Sequence, residues 1–438
     1  MKHTAALCLV TVLLLSGWGH AQELKPGDVL SQANWERARD LLPPEILRHY
    51  ERGEYRHSIV AWDLGKQKWS NAFNEGTERN ATELVLDEKG SIVEKATHKR
   101  PPYLRGFPFP NVTADDPNAG MKILWNHYLA WWNNGSVRNY VDINWISPNG
   151  VERKATQDVY FLYYQGQPRQ YIPQSNPDDL LVQFLATTVG PADLNGTTAL
   201  NWRYRDPDKR DSSWAYVPAL RRVRAVSPTN RSDGFLGSDM SQDDGPFFDG
   251  KPEDFNWKLV GEQDVLRIAD PFSLNGEQHR LRLPDGGWRG LWKRLPMVGF
   301  QDPTWKGSPW APMNFVLARR RCWIIEGVPK DAYYLFGKIQ LYIDKETYQG
   351  AYNRKFGWNG ELVNTYVVFA DLNGTSNSSG DDDYYGAGNI VYQGTENLKL
   401  NRATVITAPI ENGNPPNDRR IKFDPQFFSV QTLARFGK

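Results

Sequence analysis

The chain has 438 residues, with 52 lysines and arginines against 51 aspartates and glutamates, a formal net charge of +1. Affinity for nucleic acid rests on a basic excess, so this balance excludes nucleic acid as the main partner. Of the two cysteines, Cys8 falls in the amino-terminal leader and only Cys322 remains, which excludes an intramolecular disulfide and a small stapled scaffold.

Residues 1–21 read as a secretory leader. Lys2 supplies the positive start, Ala5 to Leu15 the short apolar run, and Gly19-His20-Ala21 the small residues of a cleavage site. That run is about half of the ~20 apolar residues a spanning helix needs. Cleavage after Ala21 and export to the periplasm are expected. Trp18 stands where lipidation would need a cysteine, so the mature chain is expected to carry no lipid anchor.

Two short helices are predicted over 34–42 and 45–51, interrupted by Pro43-Pro44. Strand signals follow at 58–62, 82–86 and 91–94. The proline-rich stretch 100–119 reads as a loop. Asp115-Asp116-Pro117 then offers a helix cap, and Met121, Leu124, Trp125, Tyr128 and Trp132 recur at helical spacing, which predicts a helix over 119–133. Strands 137–146, 158–164, 180–188 and 197–204 are joined by short Gly- and Pro-containing turns, the pattern of an antiparallel meander. A hairpin of 213–217 and 221–226 comes next, broken at Pro218, with Arg222 and Arg224 on one face. After it runs an irregular loop that mixes Asp239, Asp243 and Asp244 with Phe235, Leu236, Met240, Phe247 and Phe248. So many large apolar groups in one loop either close over a core or line an apolar binding site. Further strands are read at 280–283, 315–326, 337–344 and 351–369, the last split by Asn359-Gly360. Residues 371–389 read as a polar loop, and 423–436 as a strand running into a short helix. No internal repeat is visible. The expectation is one mainly β domain over 22–438, built on a large curved antiparallel sheet whose concave face is filled by a few helices, by loops or by a ligand.

Several stretches carry a family resemblance. Around the hairpin and loop stand W-x-Y-x-P-A-L-R-R-V-R from Trp214 and R-S-D-x-F-L-G-S-D-M from Arg231. Elsewhere stand LPPEILRHYERGEY, GFPFPNV with DDPNAGMKILWN, EGVPKDAYYLFGKIQLYIDKETY and FFSVQTLARFGK. Together they resemble the DUF1329 family, related to bacterial outer-membrane lipoprotein-sorting proteins of LolA/LolB-like fold, over nearly all of the mature chain. The resemblance implies a half-barrel fold and a periplasmic carrier or accessory factor for a lipid, an amphiphile or a lipid-modified protein.

Catalytic chemistry finds little footing in the residues. Gly237-Ser238-Asp239 lacks the flanking glycines of a nucleophile elbow. Cys322 lies in an alternating apolar run as a structural thiol. The histidines are widely spaced and show no paired-ligand pattern. The acidic clusters at Asp239, Asp243, Asp244 and at 381–383 lack calcium-loop spacing. Asp239 reads instead as a partner of Arg221, Arg222, Arg224 or Arg231. No catalytic residue, cofactor or metal is therefore expected. The residues expected to line a cavity or its mouth are Trp214, Tyr216, Leu220, Phe235, Leu236, Met240, Phe247, Phe248 and Trp257. Two other readings stay open: a hydrolase acting on a hydrophobic or glycan substrate, and an adaptor for an outer-membrane or transport complex. The Trp-rich stretch 285–312, with Trp288, Trp292, Trp305 and Trp310, is read either as a partner or membrane surface, as an adaptor would need, or as a lid packed over the sheet.

Overall fold

The computed structural model describes residues 23–62, 69–227, 231–274, 279–291, 296–370, 390–409 and 415–436. The leader at 1–21 and the polar stretch 371–389 lie outside them. In chain order the amino-terminal third holds β1 (Val29–Leu30), α1 (Pro44–Glu51), β2 (His57–Val60), α2 (Asn71–Glu83), β3 (Leu84–Leu86), β4 (Ile92–Glu94) and α3 (Ala119–Trp132). The meander follows as β5 (Val137–Ser147), β6 (Gly150–Tyr163), β7 (Leu180–Gly190), β8 (Thr198–Tyr204), β9 (Ser212–Val217) and β10 (Arg222–Val226). Next come β11 (Phe255–Ala269), α4 (Pro271–Leu274), β12 (His279–Arg282), β13 (Trp288–Leu291), β14 (Val316–Pro329) and β15 (Lys338–Asp344). The chain closes with β16 (Gly350–Phe356), β17 (Leu362–Ala370), β18 (Ile390–Asn397), β19 (Arg402–Thr407), β20 (Asn417–Arg419) and α5 (Val430–Phe436).

All strands but β3 and β4 join one 18-stranded sheet. Its main run is β11-β14-β15-β16-β17-β18-β19-β5-β6-β7-β8-β9-β10, antiparallel throughout. β2 lies parallel to the start of β14, and β20 continues the sheet beside β5 toward β13 and β12. Among the described residues β11 and β10 do not pair with each other, so the sheet curves without closing into a barrel.

Side chains alternate across a strand, and here the alternation feeds a core on each face. In β14, Cys322 and Ile324 point to the side covered by α1 and its flanks, whereas Trp323 and Ile325 point to the concave side, which carries α2, α3 and the loop after β10. A third cluster lies beneath the carboxyl-terminal segment, where Phe428 and Leu433 pack on Tyr160, Leu185 and Leu200.

The helix over 119–133 forms as its spacing dictates. Several elements fall outside the expected set, among them α2, β11, β18 and β19. α2 (NAFNEGTERNATE) buries only Phe73, Gly76 and Asn80; it stands on a Ser70 cap that accepts from the Phe73 amide at 3.2 Å, and this helix occupies residues 82 and 83, where strand was expected. β11 has a register shift between Leu259 and Gly261, which breaks the alternation by which a strand is recognised. In the Trp-rich stretch Trp288 opens β13, which pairs with β12 and β20. Trp310 is buried and Trp305 packs beside it on the α1-side core, while Trp292 lies outside the described residues.

A buried cation fastens α1 to the sheet. His49 sits between Glu54, 2.7 Å from Nδ1, and Glu396 of β18, 2.6 Å from Nε2, with its ring stacked on Tyr55 at 4.2 Å. Burial works against the charged ring, but the two carboxylates outweigh it and raise the pKa from 6.5 to about 9. A pKa raised on folding stabilises the fold fully below the unfolded value of 6.5, and that contribution disappears as pH rises through about 9. The full effect is on the order of 3 kcal/mol. Urea midpoints are accordingly expected to fall on going from about pH 7 to about pH 10, and to lose most of that slope in His49→Gln.

Candidate functional site

The loop between β10 and β11 crosses the concave face, and buried polar bonds pin it there. Asp244 pairs with Lys355 of β16, both side chains fully buried, and accepts from the Ser241 amide at 2.7 Å. Asn353 donates to the Phe247 carbonyl at 2.7 Å and Tyr366 to the Pro246 carbonyl at 3.2 Å. Asp239 does not pair with the hairpin arginines. Its carboxylate takes Arg402 of β19 at 2.8 Å and Asn397 of β18 at 2.9 Å. Tertiary placement, not nearness in sequence, decides that pairing.

Arg231 is the hairpin-side arginine that enters the interior, and its guanidinium meets carboxylates on every side. It reaches Asp243 at 2.7 Å, Asp249 at 3.1 Å and Asp211 at 3.2 Å. Arg203 of β8 meets Asp211 at 3.1 Å and Asp249 at 3.4 Å. The Tyr334 hydroxyl donates to Asp243 at 2.8 Å. Burial opposes ionisation of Asp211, yet the two arginines outweigh it and hold the carboxyl below its ordinary range. At Asp249 burial wins over the same arginines and pushes the pKa up.

Under this loop lies a cavity of about 150 Å³. Its sheet wall comes from Val141 of β5, Val159 and Phe161 of β6, Phe184 of β7 and Ile406 of β19, and Phe235 and Met240 of the loop close the other side. Those five wall residues and Phe235 are half-buried, not sealed. Arg203, Arg231 and Asp249 form its charged end. Beyond Arg231 opens a polar cleft of about 680 Å³, bordered by Asp211, Asp243 and Lys251.

The residues expected at a cavity separate into five places. Phe235 and Met240 line it. Leu236 packs with Phe235 against Ile143, Trp145 and Ala155, beside the cavity and not in its lining. Phe247, Phe248 and Trp257 are sealed in the α3-side core, Phe248 lying edge-on to Trp257 at 5.2 Å. Trp214 and Tyr216 lie on the opposite face beneath the carboxyl-terminal segment, and Leu220 is exposed in the β9–β10 turn. The reason is strand register. Trp214 pairs with Leu200 and Tyr216 with Thr198, which are even-numbered β8 positions, whereas the cavity takes the odd-numbered Asn201 and Arg203. Val141, Val159, Phe161 and Phe184 are absent from the expected set, although the alternation in β5 to β7 marks them as one face.

Cys322 is fully buried, and burial pushes its thiol up, away from reactivity. Among the described residues no group of three or more His, Cys, Asp or Glu side chains is placed to hold a metal ion.

An open antiparallel sheet with a helix and a pinned loop over an apolar recess defines a half-barrel with an interior cavity. The chain belongs to the DUF1329 family: the family model, described as "Protein of unknown function (DUF1329)", matches residues 29–434. Among solved structures it is similar to a DUF1329 family protein from Desulfovibrio piger, with 17% identity, 73% of this chain and 99% of that chain covered, and a TM-score of 0.48. A candidate outer-membrane lipoprotein-sorting domain from Vibrio parahaemolyticus shares 15% identity over 72% of this chain and 98% of its own, with a TM-score of 0.46. A LolA superfamily protein from Nitrosomonas europaea shares 12% identity over 72% and 98%, with a TM-score of 0.40. No curated protein matches the chain.

Removing one partner of a buried ion pair leaves an uncompensated charge and costs about 3–5 kcal/mol. Asp244→Asn is therefore expected to lower unfolding stability by that amount in urea. The double variant Asp244→Leu with Lys355→Met, which buries no charge, is expected to recover most of the loss.

Proposed function

We propose that this protein is a non-enzymatic periplasmic carrier or accessory factor that shields the apolar part of a lipid, an amphiphile or a lipid-modified protein in traffic toward the outer membrane. The observation that carries this reading is the recess between sheet and loop, whose aliphatic and aromatic wall residues are left half-buried beside a charged end. A recess near 150 Å³ has room for a guest of about benzene's size, so a longer chain would enter it only in part. Each methylene it buries contributes about 0.8 kcal/mol, and a carrier needs no reactive group. The carboxylates at the charged end are tied up in ion pairs with Arg203 and Arg231, which suits a structural wall better than acid–base work. The leader pattern at 1–21 supports the compartment.

The test uses N-phenyl-1-naphthylamine, an uncharged dye that fluoresces on leaving water. The native protein is expected to take it up. Val141→Phe, which fills the recess, is expected to weaken uptake about tenfold, since one kcal/mol or more of burial is lost, with little change in melting temperature. Trp214→Ala, on the opposite face, is expected to melt lower and bind the dye as before. No uptake by the native protein, or equal uptake by Val141→Phe, contradicts the reading.

A further inference from the structure

Resting on the carrier reading, we infer that the charged end of the cavity excludes anionic headgroups, so that the amphiphile it accepts is uncharged or bears an amine, and that Asp249 sets this preference. A fatty-acid carboxylate or a phosphate arriving at that end needs a cation with charge to spare. Arg231 and Arg203 are the cations lining the cavity, and neither has any. The nitrogens of Arg231 are directed to Asp243, Asp211 and Asp249, and Arg203 contacts Asp211 and Asp249. Asp211, Asp243 and Asp249 therefore already pair both guanidiniums.

Lys251 acts on Asp211, but Glu253 and Asp254 stand against it in turn, so it frees no cation for a headgroup. Lys251 donates to the carbonyls of Asp206, Pro207 and Lys209 and borders the polar cleft, not the cavity. The Tyr334 hydroxyl is already given to Asp243. Asp211 Oδ1 is buried without a donor, which leaves negative potential unsatisfied beside the arginines. An anionic headgroup here would lose its water and meet like charge, the arrangement by which interfaces reject wrong partners. An uncharged headgroup meets no such repulsion, and an ammonium is attracted.

Asp249 is the carboxylate of the three that lines the cavity; Asp211 and Asp243 border the cleft instead. Its backbone carbonyl separately accepts from Arg231 at 3.0 Å, so removal of the charge leaves that tie in place.

The experiment displaces N-phenyl-1-naphthylamine from the full-length mature protein at fixed pH near 8 with dodecanoate, methyl dodecanoate or dodecylammonium, each below its micelle concentration. Ester and ammonium are expected to displace the dye at concentrations at least tenfold lower than dodecanoate. In Asp249→Asn, the displacement ratio of dodecanoate to ester is expected to shift at least fivefold in favour of dodecanoate. Gln242→Lys, which adds a cation from an exposed position on the cavity lining, is expected to improve dodecanoate likewise and serves if the first variant does not fold. Dodecanoate matching the other two on the native protein overturns the inference. So does a parallel change in all three ligands, which would mark Asp249 as merely structural. Failure of the native protein to bind the dye at all is a different result and falls on the carrier reading itself.

Discussion

The buried ion pair between Asp244 and Lys355 is the constraint on which the interior depends. Both side chains are fully buried, and such a pair is costly to bury and costlier to break. It holds the loop after β10 at one height above β16. Asn353, Tyr366 and Arg402 then fix the rest of the crossing by bonds to Phe247, Pro246 and Asp239. With the loop held there, Phe247 and Phe248 seal one half of the concave face against α3. Phe235 and Met240 roof the other half without filling it. The recess exists because the loop is pinned on one side and spans on the other.

The ionic wall does a second job. Arg231 belongs to both the apolar cavity and the polar cleft, and its carboxylate partners are divided between the two. Buried arginines fully matched by carboxylates rigidify a partition, and they leave it chemically quiet toward anions. On the carrier reading, an amphiphile would lay its apolar part on one side of this boundary and its polar part on the other. The same economy is seen at His49, where two carboxylates hold a buried ring charged and so bind α1 to β18.

Much of the sheet was legible because turns and alternation are local. The Pro218 break and the Asn359-Gly360 dipeptide fall between paired strands β9 and β10 and β16 and β17, and the stripe Met121, Leu124, Trp125, Tyr128, Trp132 falls on α3. α2 was not legible, since its few buried residues give no apolar stripe. The interior was legible only in part. Placing five large apolar residues in one loop points to a buried loop, but which of them are sealed depends on Lys355, Asn353 and Tyr366, more than 100 residues away in sequence. Asp239 shows the same limit, for its partner Arg402 comes from β19. Trp214 and Tyr216 are adjacent to the loop in sequence yet face away from it, because a hairpin's register assigns faces and that register is set by β8. The alternating positions of β5 to β7, by contrast, were available to a reading that asked which face the strands share.

The measurement that tests the central claim most directly is native mass spectrometry of the mature protein isolated from the periplasm, followed by analysis of the released molecules. The account predicts a retained amphiphile without net negative charge, present on the native protein and lost from a variant whose recess is filled at Val141. A protein that carries no apolar molecule, or one that Val141→Phe retains equally, would contradict it.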